Sequence, residues 1–396
     1  MSRYGEISFE NSIRDYDYTK RARVDMTGIA DSGKFADMPS DTIFHYLMKE
    51  MQLISFGDYL RRYLYERSGI TEDFRDVSDD VYLDMILQSF SENAAPHSLT
   101  PNTRRWNSVA RSFLTQDCVK RSTIFLLGFG LRMSEEDVED FLTKVIKETG
   151  FDMADPTEVI YRYCFRHQLP YARALALEEA YRTMEEAPVL RRKQDSAGRE
   201  EDKLLQQLWK LKNDPETDNY RAKAYTSFLK LLDQTREQIA GIYRYDSTVS
   251  GSKRKWDKRE ISYGDIERMI CSGIPINGSG NLSPMSASLL NSFLKQKRMS
   301  RQRIDNLVQQ KYPVNRFDLI TLVFFLYSQR DGFATDQLRC TAFIEEADRI
   351  LTECGMMGLY AANPYEAFVM LCLLTEAPLA TYSEVWEISY TRGETS

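Results

Sequence analysis

The sequence predicts an all-α fold, and three observations predict it. Apolar residues recur at helix-face spacings from Ser40 onward. Helix starts are marked repeatedly by a capping side chain followed by proline. No run of alternating apolar and polar residues is bounded by hairpin turns. With 396 residues, 42% of them hydrophobic and 12% aromatic, the chain has enough apolar mass for more than one core.

Residues 1–39 are polar and without period, so a flexible tail is expected there. A Gly28 to Lys34 stretch within it fits G-x-x-x-x-G-K, but Phe35 stands where a magnesium-binding Ser or Thr is needed, so no nucleotide cofactor is predicted. A first helical module is expected over 40–186, beginning with Ile43, Phe44, Leu47, Met48 and Met51 on one face. Thr100-Pro101, Asp155-Pro156, Asp214-Pro215, Ser283-Pro284 and Asn363-Pro364 read as helix starts. Glu158 and Glu366, three residues after their caps, are expected to complete capping boxes, and Ser134 opens a further helix whose first turn is acidic.

These landmarks recur in order. An arginine opens an apolar helix at Arg121 (IFLLGFGL) and at Arg316 (LITLVFFL). Each is followed by a Leu-Thr pair and then by a capped proline eight residues before a cysteine, Pro156 to Cys164 and Pro364 to Cys372. The order implies two copies of one multi-helix unit, the second, at 259–396, carrying an insertion near 328–341. Residues 187–258 are expected to form a connector. It holds a long amphipathic helix with Tyr225, Phe228, Leu229, Leu232, Ile239, Ile242 and Tyr243 on one face, then a basic loop. The 220–243 stripe would dock on a neighbouring helix of this chain or of a second subunit.

Catalytic chemistry finds little footing. His45, His97 and His167 lack metal-ligand spacing, and the acidic clusters have the phase of solvated helix faces. The six cysteines are scattered without C-x-x-C, as suits reduced core thiols. No apolar run approaches the length of a membrane span, and the N-terminus lacks a signal-peptide core, so an intracellular, cytoplasmic, non-enzymatic protein is expected.

Charge is the more informative signal. Residues 253–316 carry thirteen Lys or Arg against five Asp or Glu, a net +8 inside a chain of net −7, which leaves −15 elsewhere. Such a split is what an anion-binding surface requires, and Arg104, Arg105, Arg111, Lys120 and Arg121 form a weaker counterpart.

The order LLNSFLKQKRMSRQRIDNLV followed by RFDLITLVFFL resembles the helical core of phage-repressor-like helix-turn-helix domains, and RSTIFLLGFGLRMSEEDVEDFL is similar. Tandem domains of this kind also resemble helical domains of bacterial proteins, over about half the chain. The resemblance implies DNA binding through a recognition helix in a transcription regulator, acting as a dimer. It would set Ser300, Arg301, Arg303 and Asn306 near base edges and Lys295, Lys297 and Arg298 on phosphates. An all-helical protein–protein adaptor without nucleic-acid binding is the alternative that the acidic total favours.

Overall fold

The computed structural model describes residues 39–99, 104–188, 196–249, 261–270 and 288–391. All regular structure among them is helical. In chain order the helices are α1 (Ser40–Glu50), α2 (Phe56–Ser68), α3 (Asp79–Glu92), α4 (Trp106–Phe113), α5 (Arg121–Gly130) and α6 (Glu135–Asp140, running on as a π-helical turn Phe141–Val145). Next come α7 (Pro156–Arg166), α8 (Tyr171–Thr183), α9 (Ser196–Asn213), α10 (Pro215–Val249) and α11 (Tyr263–Ile270). The remainder are α12 (Leu289–Leu294, running on as a 3-10 turn Lys295–Lys297), α13 (Arg301–Val308), α14 (Arg316–Ser328), α15 (Asp336–Glu353), α16 (Pro364–Leu373) and α17 (Pro378–Thr391). Of the expected tail at 1–39, residues 1–38 lie outside the described residues, as do the starts at Thr100 and Ser283, Cys271 and the part of the expected loop at 250–260, whereas 246–249, also expected in that loop, continue α10.

Packing divides the chain into a central unit, Ile54–Thr217, and a terminal unit made of Met1–Leu53 with Asp218–Ser396. This differs from the sequence-based boundaries, which put residue 40 onward with the central helices. The cause is α1: Ile43, Phe44 and Leu47 are buried in the core of the terminal unit, α1 packs on α17, and the Ser40 hydroxyl donates to Glu384 Oε2 at 2.5 Å. The connector is divided as well. α9 packs on α7 and α8 of the central unit, whereas α10 contributes Ala224, Phe228, Leu231, Leu232, Ile239 and Ala240 to the terminal core. Of the expected stripe, Phe228, Leu232 and Ile239 are therefore buried within their own chain, Tyr225 and Ile242 are half-buried and Leu229 is exposed.

Several helix starts follow the caps read from the sequence. Asp155 accepts from Thr157 N, Asn363 from Tyr365 N and Glu366 N, and Asp214 Oδ1 from Glu216 N. Ser134 forms a capping box with Asp137. Glu158 and Glu366 do not close boxes: each faces an arginine from a distant helix. Arg121 donates to Glu158 through Nε and Nη2, both at 2.6 Å, and to the carbonyls of Thr149 and Gly150 at 2.6 and 2.5 Å. Arg316 donates to Glu366 through Nε and Nη2, both at 2.8 Å, and to the carbonyls of Met357 and Gly358 at 3.0 and 2.8 Å. In each case a loop N–H, of Asp152 or Tyr360, occupies the same carboxylate oxygen, Oε2. The two clamps thus use corresponding atoms throughout, and they tie α5 to α7 and α14 to α16.

The residues that follow also correspond. Lys147 with Gly355, Gly150 with Gly358, Glu158 with Glu366 and Cys164 with Cys372 are all separated by one common interval along the chain. Lys147 and Gly355 both sit at left-handed helix ends, with φ of 56° and 69°. Glycine adopts that conformation freely and lysine does not. Lys147 is also 1% exposed, and burial pushes its amine down from its ordinary value to about 7.

Candidate nucleic-acid interface

The seven residues implied by the repressor resemblance lie on α12, its 3-10 extension, the turn Arg298–Met299–Ser300, and α13. Local sequence explains the geometry. Ser288 caps α12 by accepting from Asn291 N, and the side chains of Leu289 to Leu294 are all buried. Met299, 2% exposed, pins the turn, and the Ser300 hydroxyl accepts from Arg303 N to start α13. Ile304 and Leu307 face the core, α11 packs on α13, and Arg301, Gln302 and Gln309 stand exposed.

The charges are distributed less simply than the sequence tally implied. Arg298 is ion-paired with Glu267 of α11. Arg303 holds Asp318, through Nε at 3.0 Å and Nη2 at 2.6 Å, and also donates to Pro313 O at 3.1 Å. Asp318 is 4% exposed and forms the capping box of α14 with Asn315. Lys297 Nζ lies 4.2 Å from the centroid of the Phe317 ring, a cation–π contact. Ser300 serves as a cap and Asn306 is half-buried, its carbonyl accepting from Lys311 N at 2.9 Å. Lys295 and Arg301 remain as exposed cations of the seven. The side chains of Lys297, Arg298, Ser300 and Arg303 are thus engaged inside the fold, a fact that counting charges along a sequence cannot reveal.

Electrostatics nearby follow the same logic. The hydroxyl of Ser262 holds the Asp265 carboxyl below its usual range, and burial raises Glu366 against the opposing pull of Arg316. The exposed face of α13, with Arg301 and Gln302, offers groups able to hydrogen-bond base edges or phosphates, while Gln309 at its C-cap donates to Asp305 Oδ1 at 2.8 Å.

A polar face of similar make-up exists in the central unit, which sequence reading treated only as a weaker basic cluster. On and beside α4, Arg105, Asn107, Ser108, Arg111 and Lys120 are exposed. The clustering of basic residues was visible in the sequence; their exposure depended on which face Ala110 and Phe113 would bury.

Other chemistry has less to build on. A cavity of about 240 Å³, lined by residues such as Phe129, Met133, Cys164 and Phe165, falls below the roughly 300 Å³ of small ligand pockets. Burial pushes the Cys164 thiol up to about 12, which removes its nucleophilic form at neutral pH. The His97 ring stacks on Trp106 at 4.7 Å, His45 Nδ1 meets Asp41 O, and His167 caps α7. Among the described residues no group of three or more His, Cys, Asp or Glu could hold a metal ion, and no helix is long and apolar enough to cross a membrane. No family model matches the chain, and comparison with curated proteins and with solved structures finds no match.

Proposed function

We propose that this chain is a non-enzymatic, cytoplasmic DNA-binding regulator that contacts duplex DNA through α13 of a repressor-like helix-turn-helix in the terminal unit. The observation that carries it is the pair α12 and α13, joined by the three residues Arg298, Met299 and Ser300, with Arg301 and Gln302 exposed on the second helix and Gln309 exposed at its C-cap. Arg301 is the residue assigned to base edges or the adjoining phosphates, and Lys295, at the end of α12, to a phosphate. Arg298 and Arg303 are positioning residues for the turn and the following helix. The matched arginine clamps and helix ends support descent of the two helical sets from one duplicated unit.

The test is fluorescence anisotropy of a labelled mixed-sequence duplex at two salt concentrations. Binding should weaken steeply with salt, and Arg301→Ala should lower the log–log slope by about 0.9, the value of one neutralised phosphate. Absence of binding at low salt refutes the proposal. In that case the adaptor role stands, which the internal pairing of Arg298 and Arg303 favours.

A further inference from the structure

We propose that α4 of the central unit is a second DNA-contacting helix, the counterpart of α13, so that each unit presents one such helix. The inference rests on the DNA-binding role proposed for α13 and extends it to residues that role does not include.

The correspondence is metrical. α4 and α13 are each eight residues long. The same seven-residue interval, 114–120 in one case and 309–315 in the other, separates each from the arginine that opens the next helix, Arg121 or Arg316. Both arginines then close the equivalent clamp on Glu158 or Glu366. The matching therefore runs from α4 through α7 and from α13 through α16. The added length in the second set is taken up between the two anchor points, where α15 spans 18 residues.

Chemistry agrees with placement. α4 buries Ala110 and Phe113 and exposes Asn107, Ser108 and Arg111, with Arg105 exposed just ahead of it and Lys120 just before α5. Arg105 has no acidic partner among the described residues. Arg111 meets Asp80 at 2.9 Å, but their side chains are 57% and 72% exposed, and an ion pair so open to water is worth little and is readily exchanged for a phosphate. Asp79, beside Asp80, is engaged by Arg61 instead. On α13 the corresponding stretch has Arg303 committed to Asp318, so the central unit offers the more accessible cations.

The helix is also held rigidly. Trp106 stacks on His97 with 3° between the ring planes and lies 4.6 Å from Phe90, fixing the first turn of α4 against α3. A face fixed before binding loses little conformational entropy when it meets a phosphate backbone. Asn107 and Ser108 are of the right type to donate to phosphate oxygens or to bond base edges beside the two arginines.

The experiment uses the full chain and the same labelled duplex. Arg105→Ala with Arg111→Ala should weaken binding by about tenfold and lower the salt slope by about 2, since each phosphate left unneutralised takes away roughly 0.9. Arg105→Ala alone removes no ion pair of the fold and should lower the slope by about 1. The melting transition followed by circular dichroism should be unchanged for either variant, as expected of surface positions. If the wild-type chain binds and both variants keep its slope, the second DNA-contacting helix is refuted while the role of α13 stands. If the wild-type chain fails to bind at low salt, both are refuted together.

Discussion

Lys147 offers the sharpest quantitative test of the fold. Its side chain is 1% exposed, its φ of 56° is that of a glycine, and burial pushes its amine from near 10.5 to about 7. In the unfolded chain the amine binds a proton at every pH below about 10.4. In the folded chain it does so only below about 7. Between those values the unfolded state holds more protons, so stability rises with pH across that window. The drop corresponds to about 5 kcal/mol of cost, complete below pH 7 and gone above about pH 10.5. Lys147→Met keeps the length of the side chain and discards the charge. It should stabilise the central unit by a few kcal/mol at pH 6 and by almost nothing at pH 10.5, because the strained backbone remains in both chains. Guanidinium unfolding of wild type and variant at pH 6, 8 and 10, followed through tryptophan fluorescence, measures the difference. A variant no more stable at pH 6, or a gain that does not shrink as pH rises, would refute the assignment of the cost to a buried amine.

Further outcomes follow from the clamps and the packing. Arg316→Ala leaves Glu366, 1% exposed, without its partner and should cost about 3–5 kcal/mol in thermal unfolding, with Glu366→Gln recovering part of that loss in the double variant. Gly130→Ala places a methyl carbon 1.9 Å from the Phe90 ring and should cost about 1–3 kcal/mol by forcing that ring aside. Arg303→Ala should destabilise the terminal unit by a similar several kcal/mol, since Asp318 is buried, whereas Arg301→Ala should leave melting within about 0.5 kcal/mol. Thiol titration of the native chain should find Cys164 and Cys340 slow to react, as burial pushes both up to about 12.

The helical class, the caps at Ser134, Asp155 and Asn363, and the burial of Cys164, Cys340, Cys354 and Cys372, though not of the half-buried Cys118, were legible because each depends on neighbours within a few residues. Glu158 and Glu366 were misassigned for the opposite reason. A carboxylate at the third helical position satisfies the capping-box pattern, and the arginine that claims it lies 37 or 50 residues earlier. The candidate interface suffered similarly. A tally of charge treats Arg298 and Arg303 as equal to Arg301, although the first two are consumed by Glu267 and Asp318. The domain boundary at residue 40 failed because an amphipathic helix reveals that it has a buried face but not whose core receives it.

The attachment of α1 to α17 bears on biosynthesis. The central unit is inserted within the terminal one, so a ribosome delivers α1 long before the helix on which it docks. At about 5–20 residues per second, the apolar face of Ile43, Phe44 and Leu47 waits on the order of half a minute for its partner. The central unit, contiguous in the chain, can fold in that interval. The nascent terminal unit is then the segment exposed to chaperones and proteases, and truncation after α16 would remove one wall of the site that receives α1, leaving it only α12 and α16 to pack on.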